Sequence, residues 1–400
     1  MISDSIINTI CDKDNVWIMY NIENHDPYFK KFITSKISSV SACIVSKNCV
    51  HLFVNELDEY NVKDLNCKIW VCNKNNSLMS NMLELLKTLD FPRNIYLNYS
   101  EYLDISVDVL GHGLYSHITK NISEFYDKNK KEVFYHSADN IIYKLIEPKS
   151  EKDIKYMKLS AERALQIIED VFDNMKSGMT EKDIFNLCHK IFNNKPDWFK
   201  NFGISDEKFS WDKTGCPIVL IGPNLKKGGH TLPSDQKLEK GYTVYLDFGV
   251  TLITDSGKRY SSDLQRMGYC LKDRETTAPD NIKHIFETLR DSIKLGAETC
   301  TPDKKGFEID EKVRKYILDN GYPDYKHSTG HPVGELAHDI GTSLSPKGHK
   351  KSDLYLKENG VYTIEPRIQI ENGGSIEEMV QVTNQGGNFL CKRQEKLYYL

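Results

Sequence analysis

Apolar positions along this chain switch between two periods. Over the first 145 or so residues, short runs rich in β-branched and aromatic side chains recur: VSACIVS (40–46), CVHLFVN (49–55), KIWVC (68–72) and NIYLN (94–98). Such runs predict strands. Between them, MSNMLELLKTLDF (79–91) places Met82, Leu83, Leu85, Leu86 and Leu89 on one helical stripe. Alternating strands and helices imply a small layered α/β domain.

The pattern lengthens at IEPKSEKD (146–153), where Ser150 followed by Asp153 reads as a helix-capping box. A long amphipathic helix follows, with Ile154, Met157, Ala161, Ala164, Leu165, Ile168, Val171 and Phe172 inward and Gly178 as its stop. Thr180 with Asp183 caps a second helix that carries Ile184, Leu187, Cys188 and Ile191. Strand-like runs then appear as CPIVLIG, GYTVYLDFGV, GVYTIEPRIQI and SIEEMVQVT, with helices predicted over about 281–297 and 307–319. The expected organisation is a domain over 1–148 and a second over 149–400. The second is of α+β type, with helices on a largely antiparallel sheet. Its order of a helix pair followed by strands occurs twice, which points to a diverged internal duplication.

Length and composition agree with this division. A chain of 400 residues exceeds one average domain. With 39% hydrophobic and 28% charged residues it has an ordinary globular composition. The net charge of −4 gives no electrostatic reason to expect nucleic acid or an anionic membrane as partner. The start lacks a basic stretch followed by an apolar core, and no run approaches the ~18 apolar residues of a membrane span. The expectation is a cytoplasmic protein. The ten cysteines form no C-x-x-C pair, so free and mostly buried thiols are expected.

The chemistry concentrates in carboxylates set among apolar strand residues. Asp247 ends YTVYLD, Asp263 sits within KRYSSDLQRMGY, Glu365 interrupts GVYTIEPRIQI, and Glu377 and Glu378 open SIEEMVQVT. A carboxylate in such a setting is costly to bury unless paired, hydrogen-bonded or bound to metal. One alone is usually a structural ion pair. Several in one domain, with a histidine cluster in HSTGHPVGELAHD (327–339), point further. Two divalent cations would cancel four negative charges and activate a bridging water. Oxygen ligands plus one imidazole, without thiolate, suit Mn²⁺, Co²⁺, Fe²⁺ or Zn²⁺.

The motifs DFG, SSDLQR, HSTGHPVG, TIEP and IEEMVQVT, in that order, resemble the metal-binding motifs of the pita-bread metallopeptidases. These include aminopeptidase P, prolidase, methionine aminopeptidase and creatinase. The likeness spans roughly 150 to 395, and the segment before it resembles a creatinase/prolidase-type N-terminal domain. It implies a C-terminal pita-bread fold, with helices on a curved, pseudo-twofold sheet. Asp247 matches the aspartate that chelates one metal, Asp263 and Glu377 the bridging carboxylates, and His331 and Glu365 the ligands of the second metal. Glu365 also matches a group that helps accept the proton of the nucleophilic water. Glu378 is the rival to Glu377. His338 matches a histidine that stabilises charge at the scissile amide, and His230 a further active-site histidine. His327 matches one that lines the pocket for the residue after the cut. Read alone, each histidine would more commonly be structural or on the surface.

Two departures stand out. The interval from Asp247 to Asp263 is lengthened by TLITDSGKRY, read as a longer hairpin with a turn at Asp255-Ser256-Gly257. Ser375 stands where prolidases and aminopeptidase P commonly carry a substrate-orienting arginine, and Arg367 stands where glycine is usual and could supply a charge nearby. The reading these features support is an exopeptidase that uses a dinuclear metal site, Mn²⁺ foremost, to hydrolyse Xaa-Pro bonds at peptide N-termini. Prolidase, restricted to dipeptides, is the rival enzyme, and a non-catalytic binding protein on the same fold is the rival class. The resemblance also implies a homodimer.

Overall fold

The computed structural model describes residue 10 and residues 12–33, 35–47, 49–194, 202–211, 216–228 and 231–400. The chain forms two compact units, Met1–Leu145 and Ile146–Leu400.

The first unit is built on a mixed six-stranded sheet of order β4-β3-β2-β1-β5-β6. Its strands are β1 (Asn15–Asn21), β2 (Ser41–Ser46), β3 (Cys49–Asn55), β4 (Lys68–Cys72), β5 (Asn94–Leu97) and β6 (Phe134–Ser137). Helices α1 (Leu78–Thr88) and α2 (His112–Lys128) supply Met82, Leu85, Leu86, Ile118, Ile122 and Tyr126 to a core with Val16, Ile18, Ala42 and Ile44. Three of these elements, β1, β6 and α2, lie outside the sequence expectation. In α2 the fully buried positions Ile118, Ile122 and Tyr126 form a stripe only one residue wide, spaced four apart among polar neighbours. That is a weak periodic signal.

The second unit opens with α3 (Glu151–Asn174) and α4 (Glu181–Asn193), each begun by a complete capping box. Ser150 Oγ accepts from Asp153 N at 3.2 Å, and Thr180 Oγ1 accepts from Asp183 N at 3.1 Å. The reciprocal Asp side chains hold the cap backbone N–H groups, so both orphan donors are satisfied. α3 stops at Asn174, four residues before the expected stop. Gly178, at φ +94°, instead turns the following loop, where its N–H donates to Leu238 O at 2.7 Å.

Next come β7 (Phe209–Trp211), β8 (Ile218–Ile221), β9 (Thr243–Phe248), β10 (Val250–Ile253), β11 (Arg259–Ser261) and β12 (Leu264–Tyr269). A second helix pair, α5 (Asp280–Thr299) and α6 (Gly306–Asp319), precedes β13 (Val361–Ile364), β14 (Arg367–Ile368), β15 (Gly374–Ser375), β16 (Glu378–Thr383), β17 (Gly386–Phe389) and β18 (Tyr398–Tyr399). Pairing in this unit is antiparallel except between β12 and β18. Each helix pair buries its apolar stripe in its own core. α3 and α4 pack with Val219, Val244, Leu246 and Phe248, whereas α5 and α6 pack with Tyr362, Ile364, Val380 and Val382. The twofold repetition of helix pair and strands is thus a repetition of cores.

Strand alternation then sets up the site. In β9, Val244, Leu246 and Phe248 face the α3–α4 core, so Tyr245 and Asp247 face the other way. The extended interval forms the β10–β11 hairpin, with Ile253 opposite Arg259. Among the described residues no helix is long and apolar enough to cross a membrane.

Candidate active site

Chain segments from both halves of the second unit bring their carboxylates together. Asp247 projects from β9, and Asp263 follows β11 and precedes β12. Glu365 follows the end of β13, and Glu377 precedes β16. Glu377 and Gln265 form a β-bridge that joins the two strand sets, with Glu377 N donating to Gln265 O at 3.1 Å. Asp263 and Glu377 therefore sit next to strands, not inside them. Each is displayed where regular pairing stops, and both are only 1% exposed.

His331 comes from an irregular segment tied to β13. Its N–H donates to Thr363 Oγ1 at 3.1 Å, and Thr363 N donates to His331 O at 2.9 Å. Its Nδ1 donates to Pro332 O at 3.2 Å, which leaves the Nε2 lone pair toward the carboxylates. Nε2 lies 3.3 Å from Glu365 Oε1, 3.9 Å from Asp263 Oδ2 and 3.9 Å from Glu377 Oε1. Donor atoms of Asp247, Asp263 and Glu377 lie within 4.8 Å of one another, as do those of His331, Glu365 and Glu377. Glu377 is common to both groups. Two triads sharing a carboxylate, oxygen-rich with a single imidazole, form a donor set suited to a pair of hard or borderline divalent cations.

The electrostatics follow from this crowding. Burial pushes the His331 imidazole down, but the Glu365 hydrogen bond and the negative charge around it pull it above its ordinary value of 6.5. Burial pushes Glu365 up, and the His331 contact overrides it and holds the carboxyl below its usual range. When His331 is protonated, the two form an ion pair. Gln265 Nε2 donates to Glu365 Oε2 at 3.2 Å and Thr363 Oγ1 to Glu365 Oε1 at 3.3 Å, so this carboxylate is oriented from both sides.

Glu378, the neighbour of Glu377, points elsewhere. Arg266 Nη2 donates to Glu378 Oε2 at 3.0 Å, and Gln394 N donates to Glu378 Oε1 at 2.9 Å. Arg266 Nη1 also donates to Glu377 O at 2.8 Å, so the guanidinium fixes the backbone from which Glu377 projects.

The sequence profile of metallopeptidase family M24 matches residues 155–384. The chain belongs to metallopeptidase family M24. It is similar to the uncharacterized peptidase YqhT of Bacillus subtilis (strain 168), at 28% identity over 260 residues, which are 63% of this chain and 64% of YqhT. It is also similar to the Xaa-Pro dipeptidase of Pyrococcus horikoshii, at 25% identity over 266 residues, 66% of this chain and 68% of that protein. In architecture it is similar to the X-Pro aminopeptidase of Thermotoga maritima MSB8, with TM-score 0.63, 20% identity and coverage of 96% and 97% of the two chains. The Xaa-Pro dipeptidase of Bacillus anthracis gives TM-score 0.66, 22% identity and 99% coverage of both. These likenesses show the pita-bread fold. The chain is a metallopeptidase of a family that uses divalent metals, and its acidic and histidine clusters can bind them.

The remaining site residues of this M24 chain are placed unevenly. His338 is exposed, with its ring 4.0 Å from that of His331, and it comes within ligand reach of Asp263 and His331. Asp339 turns aside to Lys149, at 3.3 Å. His327 donates from Nδ1 to Ser328 O at 2.8 Å, and burial lowers its pKa. It lines the same pocket as the carboxylates, a cavity of about 420 Å³. Arg367 lines it too, directly across the β14–β15 pair from Ser375. His230 lies outside the described residues. Sequence reasoning missed Gln265, although it stands inside the SSDLQR motif two positions after Asp263. It also missed Lys351, which lines the pocket from the short 3-10 turn Lys350–Asp353, with no motif around it.

Proposed function

We propose that this M24 peptidase is an exopeptidase that hydrolyses Xaa-Pro bonds at the N-termini of peptides, working with two divalent ions. The observation that carries the reading is the convergence of Asp247, Asp263, His331, Glu365 and Glu377 into two triads that share Glu377. On this reading Asp247 holds one ion, His331 and Glu365 the other, and Asp263 and Glu377 both. When bound, such ions polarise a carbonyl and lower the pKa of water toward neutrality. Mn²⁺ is the metal proposed, with Co²⁺, Zn²⁺ or Fe²⁺ as substitutes.

The chain's own groups do the rest. Glu365, oriented by Gln265 and Thr363, takes the proton from the attacking water. His338, at the exposed side of the cluster, donates to the scissile amide as charge develops there. His230 is the further active-site histidine of this reading. His327 bounds the pocket for proline, whose tertiary amide and fixed φ make the bond a poor substrate for general peptidases. The similarity to proteins named Xaa-Pro dipeptidase and X-Pro aminopeptidase supports the substrate class. A cytoplasmic homodimer completes the proposal.

The test is cleavage of a Pro-containing tripeptide by Mn²⁺-loaded protein, with metal analysis of the same sample. Release of the first residue with bound metal supports the reading. Absence of both metal and cleavage, with added Mn²⁺ or Co²⁺, refutes it and favours a binding protein on this fold.

A further inference from the structure

His338 stands on a loop without regular structure: residues 333–342 form neither helix nor strand. The loop closes on itself where Asp339 N donates to Pro332 O at 2.9 Å. Its outgoing limb is held by β11, where Ser261 N donates to Gly334 O at 2.8 Å and Ser261 Oγ to Glu335 O at 3.1 Å. The returning limb carries His338. A loop limb outside the strand ladders keeps one geometry only where side chains tie it down.

Two side chains from the stretch just before α3 do so. Lys149 Nζ donates to Asp339 Oδ2 at 3.3 Å and to Ile146 O at 2.8 Å, and the side chains of the Lys149–Asp339 pair are 9% and 6% exposed. Glu147, buried, accepts at Oε1 from Thr342 N at 3.1 Å and from the Tyr362 hydroxyl. Two glycines let the loop approach these groups. A Cβ at Gly334 would lie 1.7 Å from Asp339 Oδ2 and 2.9 Å from Lys149 Nζ, and one at Gly341 would lie 2.8 Å from Glu147 Cδ.

The anchors share a frame with His331. Tyr362 lies on β13 beside Thr363, whose N–H donates to the His331 carbonyl and whose hydroxyl accepts from the His331 N–H. Lys149 N donates to Asn359 O at 3.1 Å, just ahead of the same strand. The 4.0 Å spacing of the His331 and His338 rings is thus referred to one strand. A buried ion pair is weak evidence of added stability, but it can fix one geometry.

We infer that Lys149 and Glu147 are positioning residues of the reaction, which hold His338 at the scissile amide through Asp339 and Thr342. Neither of them lines the pocket. The inference rests on the role given to His338 in the Xaa-Pro reading. Loosening either anchor should cost turnover and spare the binding of metal and substrate, because a misplacement of about 1 Å costs about 100-fold in rate.

The experiment uses the full chain loaded with Mn²⁺ and a Pro-containing tripeptide. Lys149→Met and Glu147→Ala should each lower kcat about 10–100-fold, with KM and bound metal close to wild type. Lys149→Arg and Glu147→Gln, which keep the contacts, should recover most of the loss. In a His338→Ala background Lys149→Met should cost almost nothing more, because the group it positions is gone. A Lys149→Met loss of the same size in both backgrounds overturns the inference, as does loss of metal together with activity. Where Lys149→Met fails to fold, Asp339→Asn breaks the same pair from the loop side and is read in the same way. A second readout needs no turnover. In metal-free protein labelled with ¹³C at histidine Cε1, the His338 signal is assigned by its absence from His338→Ala. It should shift in Lys149→Met and return in Lys149→Arg, and an unmoved signal overturns the inference. If no peptide is cleaved yet the signal follows Lys149, the peptidase reading fails while the positioning of His338 stands.

Discussion

Glu377 and Glu378 stand side by side at the start of β16, at 1% and 2% exposure, and face opposite regions of the molecule. Behind the strand, Glu378 meets the Arg266 guanidinium and the Gln394 N–H. Burial pushes its carboxyl up, and Arg266 opposes that push. In front, Glu377 shares a small volume with Asp247, Asp263 and Glu365, and a single imidazole cannot balance them. Burial alone therefore does not separate a structural carboxylate from a ligand. What each carboxylate faces does: a fixed cation built into the chain, or other carboxylates that leave a cation to be supplied.

The contrast can be broken from the front with the largest effect. Glu377→Gln removes the carboxylate common to both triads. kcat/KM should fall roughly 10³-fold or more, since a metal centre supplies several kcal/mol to the transition state. The folded state should survive, because like-charge crowding is relieved; steady-state kinetics and a thermal melt read the two effects. Breaking it from behind should invert the pattern. Glu378→Gln leaves Arg266 buried without its partner and should destabilise the unit by about 3–5 kcal/mol in urea unfolding. A Glu378→Gln protein that loses activity without losing stability would contradict the division.

Finer tests probe the rim of the front region. His338→Ala should lower kcat by about 10²–10³-fold while metal content holds, if His338 acts on the substrate and not as a ligand. Gln265→Ala frees one side of Glu365 and should reduce metal affinity or activity about 10–100-fold. The smallest effect concerns protons. Metal needs the neutral His331 imidazole, and in the metal-free chain its pKa lies above 6.5. Below that raised pKa, apparent affinity should weaken about tenfold per pH unit for one displaced proton; above it, affinity should level off. Calorimetric titrations across pH 5–8 in two buffers of different ionisation enthalpy check both the slope and the released proton.

Much of this arrangement was legible along the chain, and the exceptions have physical reasons. The capping boxes at Ser150 and Thr180 are local, three-residue devices, so spacing alone reveals them. The apolar run of β9 and the interruption at Glu365 were readable because a carboxylate among β-branched residues is conspicuous. The extra length between Asp247 and Asp263 read as a hairpin because Asp255-Ser256-Gly257 is a turn signal, and the β10–β11 pairing is that hairpin. By contrast, the residues alone do not choose between Glu377 and Glu378; the resemblance favours Glu377, and why Glu378 points elsewhere needs the Arg266 contact, which joins residues on different strands. Lys351 and the Nδ1 anchor of His331 were equally hidden, since both depend on how loops fold back. The helix over His112–Lys128 escaped because only one narrow stripe of it is buried.

Metal stoichiometry of the intact chain tests the central claim most directly. Chelator-stripped protein titrated with Mn²⁺ should take up two ions per chain. Glu378→Gln, where folded, should still take up two, and Glu377→Gln should take up at most one, weakly. Two ions bound tightly by Glu377→Gln, or none by the wild type, would contradict the account.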